Sequence, residues 1–413
     1  MISIREARSL VLAAATTPGG AGELVPVTEA AGRVLGEDVA ADGDLPPFDR
    51  VMMDGFAVRA ADVSAPGASL TVVGEVAAGD TGDRPLEPGQ ALEIMTGAPL
   101  PPGADAVVPV EWSTRDGDRV TFDRTLRPGQ HVAPRAEDVA AGSVVARAGQ
   151  LIGALDLSLL IAAGVGHVQV RRRPSVAVLT SGNELVPPGA PVRRGQIRES
   201  NGPALRALLA HGGADVRDLG VARDTREELT ARLRRALEAD VVVLTGGSSV
   251  GKYDLSAEVV EATGARCHFD RIAVKPGKPT LFYTREPGGG RGRQLIFCLP
   301  GNPVAALMTG RVLVAAGIAA LGGARVPDWT PLSLPLAAEV RRNPARDLLI
   351  PMRVARDGDG PDAGSRLVFD GWHGSGDLSC MSGADGFGFV ARGEGAVPAG
   401  TPADFFVVGA ATP

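Results

Sequence analysis

Lys275-Pro-Gly-Lys278 places two ammonium groups on either side of a rigid turn, so both can be aimed at one anion. Thr245-Gly-Gly-Ser-Ser-Val-Gly251 supplies the backbone N–H groups of a glycine-bounded turn, with hydroxyls on Thr245, Ser248 and Ser249 around Gly246 and Gly247. Those donors suit a phosphate. Leu299-Pro-Gly-Asn-Pro303 makes a further polar turn from Pro300, Gly301 and Asn302. Glu184, Asp224 and Asp254 lie in the same set of loops. Carboxylates clustered beside a phosphate site suit Mg²⁺, which takes one or two of them and completes its shell with phosphate oxygens and water. Each feature also has a plain structural reading. The threonine-glycine turn could be a tight βα connection, the lysines two solvated surface charges, and Asp224 and Asp254 caps of the helices they precede.

Position along the chain gathers these features. From Pro174 onward apolar runs alternate with amphipathic ones, which predicts a doubly wound α/β domain with a parallel sheet. Ser175–Thr180 and Asp240–Leu244 read as strands buried on both faces. Asn201-Gly-Pro-Ala reads as a helix start with Asn201 as N-cap, and Thr225-Arg-Glu-Glu228 as a capping box. A strand over Phe269–Val274 is expected before the lysine turn. Leu281–Thr284 and Gln294–Cys298 form a hairpin, and a long helix closes the module over about Asn302–Leu321. Every polar segment named above follows a strand, and open α/β sheets bind ligands at the carboxyl ends of their strands.

The whole chain has 413 residues, which calls for several domains. Residues 1–47 and 143–173 read as a segmented N-terminal domain, 48–142 as an inserted β domain, 174–326 as the α/β domain and 327–413 as a small C-terminal β domain. A helix is expected over Ser3–Ala15. The formal net charge of −6 and the absence of a Lys/Arg run exclude duplex nucleic acid as an expected partner. Three scattered cysteines disfavour a disulfide framework or thiolate zinc site, as expected for the cytoplasm. The apolar stretch Val304–Leu321 contains Arg311 and reads as a core or interface helix rather than a membrane span.

Seven segments, in order, resemble the MoeA/gephyrin E-domain family of molybdopterin molybdenumtransferases: FDRVMMDGFAVRAAD (Phe48–Asp62), IMTGAPLPPGADAVVPVE (Ile94–Glu111), RAEDVAAG (Arg135–Gly142), LTSGNEL (Leu179–Leu185), LTGGSSVGKYD (Leu244–Asp254), VKPGKP (Val274–Pro279) and LPGNPVAA (Leu299–Ala306). The resemblance implies a MogA-like molybdopterin-binding α/β domain, an inserted β domain, a segmented dimerisation domain and a C-terminal domain like a small β-barrel. It implies a Mg²⁺-dependent transferase that inserts molybdate into adenylylated molybdopterin and releases AMP. Asp224 and Asp254 then hold the metal, Glu184 belongs to the same pocket, and Lys275 and Lys278 bind the oxyanion. Asp54 and Thr96 fall on functional positions of the inserted domain, which in this family faces a partner subunit, so a homodimer with composite sites follows. Arg135 and Asp138 match the segment closing the insertion, Ser375 resembles the C-terminal contribution, and Arg353 or Arg346 supplies its arginine. Transient contacts with the adenylylating enzyme and with acceptor molybdoenzymes are implied too. The family pattern is departed from at Val51, Asn183, Ser248, Lys252 and Cys380. Two other readings compete: the sibling adenylylation step, against which the inserted domain argues, and a binding scaffold with a dispensable pocket.

Overall fold

A computed structural model describes residues 1–15, 22–211, 213–246, 255–288, 292–326, 329, 331–356, 364–369, 371–372 and 376–408. The chain divides into two compact units: Met1–Glu23 with Gly32–Val34 and Arg171–Pro413, and Leu24–Ala31 with Leu35–Val170.

The first unit is built on a six-stranded sheet ordered Asp215–Ala222, Ser175–Ser181, Val241–Thr245, Gln294–Leu299, Leu281–Arg285, Arg266–Phe269. The first four strands run parallel, Leu281–Arg285 runs against them, and Arg266–Phe269, antiparallel to that strand, runs with the first four. The sheet is therefore mixed, parallel where strands and helices alternate and antiparallel across the hairpin expected between Leu281–Thr284 and Gln294–Cys298. The residues between Arg285 and Gln294 are too few for a crossover, and a short connection can join only antiparallel neighbours. The Val241–Thr245 and Gln294–Leu299 strands are buried at every position, which is why they are apolar apart from Thr245 and Gln294 at their ends.

The chain passes from Ser175–Ser181 outward to Asp215–Ala222 and then back across to Val241–Thr245. The strand order thus reverses at Ser175–Ser181, and the loops after these strands splay apart there. Helix Arg226–Ala236 is capped by the Thr225 hydroxyl, which accepts from Glu228 N–H, and buries Leu229, Leu233 and Ala236. Helix Asn201–His211 differs from expectation. Asn201 is its first residue rather than its cap, and the Glu199 carboxylate accepts from Gly202 N–H at 2.7 Å instead.

Helix Ile4–Ala14, assigned from the sequence to the segmented first domain, packs within this first unit. Ser3 caps it, and Ile4, Ala7, Val11 and Ala14 enter the core shared with Val176, Val243 and Ile318. The spacing of those residues puts them on one helical face. Gly317 allows the close approach, because a Cβ there would meet Val11 Cγ1 at 2.9 Å. The facing segment runs Pro303–Thr309 as α-helix, Gly310–Val314 as a π turn and Ala315–Leu321 as α-helix. Arg8, buried on the N-terminal helix, donates to Val312 O of that π turn at 2.6 Å. Pro303–Leu321 is long and apolar enough to cross a membrane, but 72% of it is buried in the protein, as expected of a core helix.

A second sheet in this unit is ordered Val274–Lys275, Asp347–Arg356, Gly386–Val390, Pro402–Val407, Leu332–Pro335. The strand expected over Phe269–Val274 is two strands. Arg266–Phe269 closes the α/β sheet, whereas Val274–Lys275 pairs in parallel with Asp347–Leu348. Ile272, Ala273 and Val274 are fully buried, and Ala273 N–H donates to Ile2 O at 2.7 Å, which draws the chain away from the first sheet.

In the second unit, helix Ala154–Ala162 and strand His167–Val170 enclose a small core with Val27, Leu35 and Ile152. A separate six-stranded sheet follows the order Ala106–Pro109, Gly55–Val58, Gln90–Ile94, Ser69–Val76, Arg119–Phe122, Ser113–Asp116, with apolar clusters around Phe56 and around Leu92.

The loop after Val241–Thr245 presses directly on the end of the Ser175–Ser181 strand. Gly246 has φ +91°, and a Cβ there would lie 2.0 Å from Ser181 O. Gly246→Ala must displace backbone as well as strain it, an expected cost of about 3 kcal/mol. Thermal unfolding of the variant checks this; an unchanged midpoint would show that the loop can retreat.

Candidate functional site

A cavity of about 760 Å³ opens where the strand order reverses. Its floor is the junction of three loops, and a buried hydrogen-bond network ties them together. Asn201 Nδ2 donates to Thr245 Oγ1 at 3.1 Å and to Gly301 O at 2.8 Å, and Thr245 Oγ1 donates to Pro300 O at 3.0 Å. Thr245 is fully buried, so its hydroxyl joins loops rather than facing the cavity. Gly246, Pro300, Gly301 and Asn302 do line it. Gly301 carries no side chain to fill the junction, and a Cβ there would sit 3.4 Å from Gly246 Cα. Asn302 is the N-cap residue of the Pro303 helix, with Pro at the first helical position, so that helix brings the positive end of its dipole to the cavity.

Asp224 and Glu184 line the same space. The Asp224 carboxylate accepts from the Ser181 hydroxyl at 2.6 Å and from Asn183 N–H at 3.3 Å, while Asp224 N–H donates back to Asn183 Oδ1 at 3.2 Å. Asp224 is therefore oriented by the end of the central strand, and the helix cap beside it is Thr225. Among the described residues no three His, Cys, Asp or Glu side chains gather as a ready metal cage. A cation taking one or two carboxylates here would draw its other ligands from phosphate and water, as Mg²⁺ does.

Lys275 and Lys278 are half-buried and do not line the cavity, although Pro279, the next residue, does. The turn is held by Ile272 N–H donating to Lys278 O at 3.1 Å and by the Thr280 hydroxyl donating to Gly277 O at 2.7 Å. Lys275 Nζ stands 5.7 Å from the centre of the Trp372 ring. Gly247, Ser248, Ser249, Asp254 and Ser375 lie outside the described residues. Arg353 is exposed on the Asp347–Arg356 strand opposite Val368, and Arg346 N–H donates to Asn343 Oδ1 at 2.9 Å.

The second unit brings Asp54 and Thr96 into contact across 42 residues of chain: Thr96 N–H donates to Asp54 Oδ1 at 2.7 Å. That backbone donor, followed by the Thr96 hydroxyl, holds the Asp54 carboxyl below the usual carboxylate range. Arg135 lies nearby in sequence order to Asp138 but is engaged elsewhere. Its guanidinium pairs with Asp44 at 2.5 Å, and its N–H donates to Asp49 Oδ1 at 2.9 Å. Asp138 is exposed, with its N–H donating to Leu45 O at 2.9 Å.

Two cavity residues were not singled out from the sequence as ligand-facing, Glu199 and Asn201, both buried in the wall. The Glu-Ser-Asn-Gly-Pro run resembles a helix start, and Asn201 was read only as a cap. The overlooked signal was a carboxylate and an amide together, immediately after an apolar-polar strand pair and directly before a buried helix.

Two family models match the chain: the MoeA N-terminal region (domain I and II) over residues 2–164, and a probable molybdopterin binding domain over residues 177–319. Among curated relatives, molybdopterin molybdenumtransferase 2 of Mycobacterium tuberculosis is 39% identical over 303 residues, covering 70% of this chain and 73% of the relative. The molybdopterin molybdenumtransferase of Synechococcus elongatus is 31% identical over 412 residues, covering 98% and 99%. Among solved structures, a molybdopterin biosynthesis moeA protein from Pyrococcus horikoshii aligns with a TM-score of 0.80 at 28% identity, covering 98% of this chain and 100% of that one. With its strand-reversal cavity, its two family regions and relatives that match along nearly its full length, the chain belongs to the MoeA family of molybdopterin molybdenumtransferases.

Proposed function

We propose that this protein inserts molybdate into adenylylated molybdopterin, releasing AMP and forming molybdenum cofactor in the cytoplasm. The observation that carries the reading is the cavity itself, a polar-floored space of about 760 Å³ at the reversal point of the sheet, with Asp224, Glu184 and the Pro300–Asn302 turn on its wall. A phosphate-bearing ligand fits the helix start and glycine turns on that wall. Cleavage of the phosphoric anhydride takes an incoming oxygen, from water or the oxyanion, and separates AMP from the pterin phosphate. The dithiolene sulfurs replace oxo groups of molybdate, which take up protons and leave as water, with no change in oxidation state.

In this reading Asp224 and Asp254 hold Mg²⁺, which would neutralise charge on the anhydride phosphates, and Glu184 shares their pocket. Gly246 to Ser249, with Thr245 anchoring them, and Pro300 to Asn302 receive the phosphates. Lys275 and Lys278 bind molybdate and stabilise developing negative charge, an electrostatic role. Ser375 and Arg353 supply the C-terminal contribution. Asp54 and Thr96, together with Arg135 and Asp138 from the segment that closes the insertion, complete the site of a partner subunit in a homodimer. Helix Ala154–Ala162 supports such an assembly, because it leaves Leu155 88% and Ile161 50% exposed near Leu151 at 59%. Exposed apolar clusters of this kind mark contact surfaces. Delivery of adenylylated pterin and transfer to acceptor molybdoenzymes would then be transient contacts.

Reconstitution tests the function: purified protein, adenylylated molybdopterin, molybdate and Mg²⁺ are expected to yield product that activates an apo-molybdoenzyme. A scaffold would bind its partners and give no activation. Lys275→Ala is expected to keep the fold and lower turnover about 100-fold or more; wild-type turnover would remove Lys275 from the mechanism. Leu155→Glu is expected to shift the protein from dimer to monomer in sedimentation, and an unchanged mass would reject this helix as the contact. Thr96→Val removes the hydroxyl that helps depress Asp54. Because the folded carboxyl titrates below its unfolded value, its stabilisation is present above the unfolded value and is lost as pH falls through the folded one. Carboxyl ¹³C titration of the variant is therefore expected to show Asp54 moved up toward the ordinary range, and an unmoved curve would leave the backbone N–H as the sole cause.

A further inference from the structure

Away from the strand-reversal cavity, a second space of about 190 Å³ lies within the first unit. Helix Ile4–Ala14, the π turn Gly310–Val314 with helix Ala315–Leu321, and the strands Leu332–Pro335 and Pro402–Val407 meet around it. Most of its wall is apolar, formed by Ala315, Ala316, Ala319, Val326, Leu332 and Phe405. Two guanidinium side chains, Arg8 and Arg311, complete it, and no Asp or Glu is among its described lining residues. Arg311 sits on the π turn, a departure from α-helix that is frequent at functional sites. Its Nε donates to Val407 O at 2.7 Å, and Val407 lines the space as well. Among the described residues Arg311 forms no ion pair, and its Nη groups find no acceptor. Those groups are not sealed in. The described buried side-chain nitrogens and oxygens without a partner are Arg33 Nε, Asn201 Oδ1, Arg342 Nε and Trp372 Nε1, so the Nη groups of Arg311 keep accessible surface. Burial alone pushes the Arg311 guanidinium below its ordinary value, the direction expected of a cation removed from water without a counter-charge. Arg8 donates to Val312 O at 2.6 Å and so fastens the N-terminal helix beside the same space.

A largely buried cation without a counter-charge is costly, and an anion recovers that cost. With Nε spent on Val407, Arg311 retains its two Nη groups, the end of the fork that grips a carboxylate through two parallel hydrogen bonds. The rest of the wall selects the rest of the ligand. Alanine, valine, leucine and phenylalanine offer no donors to the outer oxygens of phosphate or molybdate, which would lose their hydration unrepaid. The same surfaces suit a hydrocarbon body. We propose that this cavity binds a compact organic carboxylate, with Arg311 holding the carboxylate and the alanine and phenylalanine wall holding its apolar body. The space equals roughly six water volumes, enough for a body of about six carbons. Such a ligand joins the N-terminal helix, the core helix and the C-terminal sheet. The assignment is independent of the chemistry in the strand-reversal cavity.

Benzoate is the probe, with benzamide as its neutral counterpart and inorganic phosphate as an anion that lacks an apolar body. Calorimetry and thermal unfolding of the full chain are expected to show benzoate binding with a Kd of about 1 mM or tighter and a raised unfolding midpoint. Benzamide and phosphate are expected to bind about 10-fold more weakly, since each leaves one half of the site unmatched. Arg311→Met keeps an apolar stem and removes the fork, and is expected to weaken benzoate about 10-fold or more. Ala319→Leu leaves both arginines in place and fills the space, with the same expected loss. Benzoate affinity unchanged in either folded variant would overturn the assignment. Equal affinity for benzoate and benzamide would remove Arg311 as the head-group ligand, and phosphate bound as tightly as benzoate would remove the apolar body; either result overturns it. Displacement of benzoate by AMP would move the ligand to the strand-reversal cavity and overturn it too. The comparison of probes on the wild-type chain needs no variant, so an absence of benzoate binding there overturns the proposal even if Arg311→Met folds poorly.

Discussion

The site depends on one buried side chain, Asn201, whose amide nitrogen reaches both Thr245 and Gly301 and so fastens two loops that leave neighbouring strands. The parallel strands deliver their loops to one edge, but parallel pairing alone would leave those loops free to separate. The amide joins them, the Thr245 hydroxyl extends the tie to Pro300, and Gly246 lets backbone approach backbone at a distance that no side chain could tolerate. A net hydrogen bond contributes only about 1 kcal/mol. Its larger effect here is geometric, since several bonds that share two side chains hold the cavity floor in one arrangement.

The same floor fixes two residues of the cavity wall. The Asn201 nitrogen joins the loops while its oxygen is buried without a hydrogen bond, and one Glu199 oxygen caps Gly202 N–H. Around them the glycine turns and the Pro303 helix present donors. Asp224 lines the same cavity as a carboxylate held in place by Ser181 and Asn183. Preorganisation of this kind lowers the cost of ordering a charged ligand.

Much of this was legible from residue order, though unevenly. The α/β module was readable because strands buried on both faces leave continuous apolar runs, and Thr225 announces its helix by local chemistry. Val274–Lys275 was misassigned because a two-residue strand has no periodicity, and its partner Asp347–Leu348 is some seventy positions away. Glu199 and Asn201 were overlooked because short polar residues before a helix serve as caps so often that a second use is masked. The contact between Asp54 and Thr96 spans 42 residues, and local pattern cannot show such a pair. Family resemblance supplied those two positions where physical reasoning reached only a β-domain corner.

The central claim, that this cavity processes an adenylylated pterin in a step requiring the oxyanion, is tested most directly by AMP release from adenylylated molybdopterin in the presence of Mg²⁺, measured with and without molybdate. Release that depends on molybdate is the expected result. Release at the same rate without molybdate, or none despite tight pterin binding, would contradict it.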